Sequence, residues 1–155
     1  MKPIYTEIII DSPAKTVWGI ITDPDRYPEW NPFVPRITLK SSEVIVGTEF
    51  DLDCRMTDSQ LLKNEHEVVL EINPDEFIFR MGTSRTRGRP GIVSNRCQIC
   101  QPVNENRVKY INYEEFRGPL SLIVYLLYSR KLKKAFVKHN LALKARAESI
   151  SSCGV

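Results

Sequence analysis

The chain has 155 residues, 42% of them hydrophobic and 26% charged, with a formal net charge of +3. That length and balance fit one soluble domain with a core large enough to stand without disulfide or metal staples. The composition is ordinary for a soluble globular protein, and the net charge is too small to imply a nucleic-acid partner on its own.

The opening MKPIYTEIII is interrupted by Glu7 and has no small-residue cleavage site after it. It does not read as a secretory signal, and the expected location is cytoplasmic. Ile4 to Ile10 reads as a strand, β-branched and free of breakers. Ser12 is placed to cap a helix and Pro13 to begin it. Val17, Trp18, Ile20 and Ile21 supply its apolar side, and Asp23-Pro24 ends it, because the residue before a proline is pushed out of the helical region. Tyr27-Pro28-Glu29-Trp30-Asn31-Pro32 has room only for a turn or one helical turn.

From Val34 the period becomes two. Phe50, Leu52, Cys54 and Met56 alternate with Glu49, Asp51, Asp53 and Arg55, as in an antiparallel strand with one wet face. Asn64, His66, Val68, Leu70 and Ile72 are read as one face of the next strand, opposite Glu65, Glu67 and Glu71. Phe77, Phe79 and Met81 share a face of another. Arg87-Gly88-Arg89-Pro90-Gly91 is a basic turn. Two further strands follow, about Ile92 to Pro102 and Arg107 to Arg117, joined at Asn104-Glu105-Asn106.

Gly118-Pro119 breaks the pattern, and Leu120 to Ser149 reads as a helix with Leu122, Leu126, Ser129, Leu132 or Lys133, Phe136, Asn140, Leu143 and Ala147 at spacings of three and four. Residues 150–155 are expected to form a flexible tail beyond a single domain of residues 1–149. The longest apolar run, Pro119 to Tyr128, is far short of the ~20 residues that span a bilayer. No acidic residue lies between Glu115 and Glu148, an interval rich in Lys and Arg. A solvated basic face is the plainer account; contact with an acidic membrane surface is the alternative.

A one-faced antiparallel sheet must cover its apolar side, and only the last helix is long enough to do so. A curved sheet around one helix leaves space for a ligand. The expected walls are Phe50, Leu52 and Cys54, then His66, Val68 and Leu70, then Phe79, Tyr110, Asn112, Glu114 and Phe116. Trp30 and Phe33 are expected at the rim, and Leu126 and Phe136 on the helix.

Ile9-x-x-Ser12-Pro13-Ala14-x-x-Val17-Trp18-x-Ile20-Ile21-Thr22-Asp23-Pro24-x-x-Tyr27-Pro28-Glu29-Trp30-Asn31-Pro32-Phe33 resembles the opening of the START-like, or SRPBCC, superfamily, which includes polyketide cyclase/dehydrase-type proteins. Glu114-Glu115-Phe116-x-Gly118-Pro119-Leu120 and Asn140-x-Ala142-Leu143-Lys144-Ala145-Arg146-Ala147-Glu148 resemble the same superfamily. The resemblance implies an α+β helix-grip fold: a seven-stranded antiparallel sheet curved around the C-terminal helix, with two short helices between strands 1 and 2. It also implies binding of a lipid, sterol, polyketide or quinone-like molecule, without a cofactor.

Two other classes stay open. One is a cyclase or dehydratase in which His66, Tyr110 and Glu114 converge as acid, hydrogen-bond donor and base. The other is a lipid or quinone carrier docking through the basic helix, and the chain is expected to be a monomer or homodimer. Metal binding is not expected. Cys97 and Cys100 stand three apart on a strand and so face opposite sides, and nothing completes a zinc set. The four cysteines are expected to be free thiols.

Overall fold

The computed structural model describes residues 1–154. β1 (Ile4–Ile10) leads into α1 (Ala14–Ile21), a turn at Pro24–Arg26 and the single-turn α2 (Tyr27–Trp30). β2 (Arg36–Leu39), β3 (Glu49–Thr57), β4 (Gln60–Asn73), β5 (Ile78–Thr83), β6 (Val93–Asn104) and β7 (Arg107–Arg117) follow, then α3 (Ser121–Cys153). The strands form one antiparallel sheet in the order β1-β7-β6-β5-β4-β3-β2. This is the expected helix-grip architecture: a curved sheet around α3, with the short helices inserted between β1 and β2.

Three details differ from expectation. α1 begins at Ala14 with Pro13 in the cap position and no side-chain cap, so Ser12 does not cap it. The buried Ser12 hydroxyl instead meets that of Ser151 at 2.7 Å. That contact belongs to the second correction, because α3 does not fray at residue 150. It continues through Cys153, 33 residues in all, or roughly 50 Å at the helical rise. Glu148 Oε1 accepts the Asp11 N–H at 2.9 Å and further ties this end to the β1–α1 turn. Val155 lies outside the described residues.

The third difference governs the interior. β4 carries an extra residue twice, where its pairing jumps from Leu52–Glu65 to Cys54–Leu62 and from Val69–Met81 to Glu71–Arg80. Asn64 accommodates the first with φ +57°, in the left-handed region. The helix-facing residues of β4 are therefore Leu62, Glu65, Glu67, Val69 and Ile72. Of the expected inward face Ile72 packs on the core, Asn64 and His66 reach the border of the interior space, and Leu70 is 39% exposed.

Burial on α3 is confined to one side. Leu132, Phe136, Leu143 and Ala147 are buried against the sheet and the short helices. Leu126, expected to line the interior, is 72% exposed. Leu143→Ala is therefore expected to cost about 2–5 kcal/mol, and Leu126→Ala about 0.5 kcal/mol or less. Urea unfolding of the two variants side by side measures this; equal losses would contradict the facing of α3.

Candidate functional site

The concave side of the sheet is divided in two. Towards β1, α1 and α2 it is solid: Tyr27, Phe79, Tyr110 and Phe136 are all essentially buried and packed together. Towards β3, β4 and the β5–β6 loop it holds a cavity of about 190 Å³. Phe33, Phe50, Leu52, Cys54, Met56 and Met81 form its apolar walls. Val124, Tyr128 and Leu132 of α3 close it from the helix side, and Arg89 and Ile92 lie along the β5–β6 segment.

Its polar heart is Arg96, which is 4% exposed. β6 presents Ser94, Arg96, Gln98 and Cys100 to the helix, opposite Phe116, Glu114, Asn112 and Tyr110 of β7. Arg96 Nε donates to Asn112 Oδ1 at 2.9 Å. The guanidinium lies over the Phe136 ring at 4.7 Å and the Phe33 ring at 5.2 Å, which favours a cation through the ring quadrupole. Its Nη2 is buried and has no hydrogen-bond partner among the described residues.

Glu67 and Glu114 also line the cavity. Withdrawal from water, reinforced by the charge of Glu114, pushes the Glu67 carboxyl up to about 7, although Arg96 pulls the other way. Glu114 is raised by burial as well, partly offset by Arg96 and by a hydrogen bond from Ser94. The cavity thus holds a fixed cation beside a carboxyl that exchanges its proton near neutral pH, the property expected of an acid–base group.

Behind Arg96 lies a neutral network. The Tyr110 hydroxyl donates to Gln98 Oε1 at 2.6 Å and stands 2.9 Å from His139 Nε2. A hydroxyl has one proton, so with Gln98 receiving it His139 donates from Nε2. Burial, with Arg96 nearby, holds His139 well below its ordinary value and therefore uncharged. Burial likewise keeps Tyr110 protonated.

His66, Tyr110 and Glu114 do not converge. His66 borders the cavity, but its Nδ1 lies 2.6 Å from Asp51 Oδ1, in a cluster where Lys40 and Arg87 also hold Asp51. Tyr110 sits behind Arg96, and only Glu114 reaches the cavity as a buried group. Among the other expected wall residues, Phe33, Phe50, Leu52, Cys54 and Phe116 line it. Asn112 and Phe136 act one layer back, on Arg96. Phe79 belongs to the packed half, Trp30 packs on His139 at 5.3 Å between ring centres, and Val68 and Leu70 fall on the other face of β4.

Local alternation in the sequence does not point to Arg96 or Glu67 as cavity residues. On β6 the more apolar alternation is Val93, Cys97 and Ile99, so polarity favours the wrong face. On β4 the first bulge turns Glu67 inward. Cys97 and Cys100 do face opposite sides: Cys97 lies with Tyr113 and Arg80, and Cys100 packs in the core. All four cysteines are free. No group of three metal-ligating side chains assembles among the described residues.

A ligand-sized cavity between a seven-stranded antiparallel sheet and one long helix defines a helix-grip protein of the START-like, SRPBCC type. The chain belongs to the family described as polyketide cyclase / dehydrase and lipid transport, which matches residues 1–148. No curated protein sequence matches it. Its structure is similar to the di-domain aromatase/cyclase BexL of the BE-7585A biosynthetic pathway, with a TM-score of 0.75 and 15% identity. That match covers 97% of this chain but 48% of BexL, so the chain spans about half of that relative. It is also similar to norcoclaurine synthase from Thalictrum flavum in complex with dopamine and hydroxybenzaldehyde, with a TM-score of 0.72, 14% identity, and coverage of 96% of this chain and 87% of that one. A START superfamily protein from Mycobacterium smegmatis gives a TM-score of 0.72 and 12% identity, covering 96% and 98%. At these identities the likeness establishes the fold.

The Glu67 carboxyl has a consequence for stability. Between about 4.5, its ordinary value, and about 7, the folded protein holds a proton that the unfolded chain has released. Stability contributed by this group is therefore present at the acid end of that window and lost as pH rises through it. Glu67→Gln is expected to remove this decline, as measured by urea midpoints across the window; an unchanged pH slope would place the Glu67 titration elsewhere.

Proposed function

We propose that this protein binds a small, mainly apolar molecule carrying an oxygen acceptor, held in the cavity with that oxygen on Arg96 Nη2. The observation that carries this reading is the guanidinium itself. A buried donor without a partner costs free energy, and a ligand oxygen would satisfy it. The apolar walls would supply affinity by burial, at about 25 cal/mol per Å².

The volume narrows the ligand. An apolar cavity of roughly 150 Å³ can hold benzene, whereas sites for drug-sized ligands run upward of about 300 Å³. The 190 Å³ found here suits one ring or a short acyl chain, with any longer part extending beyond the enclosed space. Dopamine and hydroxybenzaldehyde, named with norcoclaurine synthase, are single-ring compounds with oxygen substituents and support this class. A sterol would exceed the enclosed space.

A second reading, catalysis of the cyclase or dehydratase kind, is favoured by the proton balance of Glu67. In it the Glu67 carboxylate takes a proton from the carbon next to a ligand carbonyl. The negative charge that develops on the carbonyl oxygen rests on Arg96.

Native mass spectrometry of the gently purified protein, followed by calorimetry with single-ring aromatic carboxylates and their parent hydrocarbons, tests the binding reading. Carboxylates are expected to bind and hydrocarbons to bind more weakly. Arg96→Gln should weaken carboxylate binding roughly 10- to 100-fold, the span of a charged hydrogen bond. Equal binding of both classes, or no effect of the substitution, would overturn it. For catalysis, Glu67→Gln is expected to abolish turnover while binding persists.

A further inference from the structure

We infer that the first half of α3 docks in the plane of an anionic lipid surface. Leu122, Ile123, Leu126 and Leu127 are 57%, 56%, 72% and 62% exposed. Their spacing of one, three and four places them on one side of the helix, away from the side that buries Leu132, Phe136 and Leu143. Isolated exposed apolar residues are ordinary, but four large ones on adjacent turns form a patch that water does not favour.

Charge selects what covers the patch. The same side continues through Arg130, Lys133 and Lys134, all exposed and without ion-pair partners among the described residues. No acidic residue stands between Glu115 and Glu148 to balance them. A second copy of the chain paired over these leucines across a two-fold axis would set Arg130, Lys133 and Lys134 of each copy against the partner's α3, which between Glu115 and Glu148 offers no acidic residue to receive them. An anionic bilayer supplies both halves of the match: an apolar layer for the leucines and headgroup charge for the cations. α3 is not apolar enough to cross a membrane, which leaves an in-plane arrangement.

The placement also concerns the cavity. Val124 and Tyr128 lie on these same turns and line the cavity. Docking here would bring this wall of the cavity close to the acyl layer, so that an apolar molecule passing between them would have little exposure to water. That consequence rests on the ligand-binding reading above; the docking does not.

Flotation with vesicles of equimolar phosphatidylcholine and phosphatidylglycerol, beside pure phosphatidylcholine, tests the inference. The protein is expected to float with the anionic vesicles at low salt and to be released as salt rises. Lys133→Gln and Lys134→Gln should each lower the partition roughly five-fold. Leu126→Glu with Leu127→Glu, at positions outside the core, should abolish it while leaving cavity-ligand affinity unchanged. Arg96→Gln should float like the parent protein whatever it does to ligand binding, which separates failure of one reading from failure of the other. No flotation at low salt, equal flotation with neutral vesicles, undiminished flotation of the leucine variant, or a solution dimer which that variant dissociates would each overturn it.

Discussion

One buried guanidinium orders the interior of this protein. Removing Arg96 from water is expensive, and the surrounding structure meets that cost piece by piece. Asn112 on β7 takes one N–H, and the faces of Phe33 and Phe136 receive the charge from the loop after α2 and from α3. Glu67 and Glu114 stand in its field without direct ion pairs among the described residues. A close ion pair would leave little for a ligand to do. Here the charge is partly compensated, and one N–H group still faces unsatisfied.

The two halves of the concave side follow from this placement. Behind Arg96, the neutral Tyr110–Gln98–His139 network and the packed aromatic residues form a rigid backing. In front, β3, β4 and the first turns of α3 surround the cavity. The bulges in β4 add local twist, as extra residues on one strand do, and turn Glu65 and Glu67 towards the space. The carboxyl that tunes the chemistry of the cavity therefore owes its facing to a departure from regular pairing.

The part of β3 and β4 that borders the cavity is held differently. Asp51 gathers Lys40, His66 and Arg87, and its carboxyl is held well below the usual range by these partners, Lys40 foremost. Arg36 forks onto Asp53, and Arg89 reaches Glu65. Such partly exposed pairs contribute modestly one by one, but Arg87 and Arg89 together tie the β5–β6 loop to β3 and β4 beside the cavity.

Much of the architecture was legible in the chain. Proline and glycine punctuation marked the ends of α1 and the start of α3, and the two-residue period marked β3, so Phe50, Leu52 and Cys54 were placed correctly on the inner face. These are local properties, set by backbone sterics and side-chain alternation within a few residues. Which face of β4 and β6 turns inward was decided only by the tertiary structure. A single extra residue reverses every side chain beyond it, and a cavity wall with polar chemistry looks, by polarity alone, like a surface. The same holds for α3. Its sequence determined a long helix with a basic, apolar-studded first half, but only packing against the sheet decided that Leu126 stays outside and Phe136 goes in. Burial is a property of what stands opposite a residue, and that neighbour comes from strands far away along the chain.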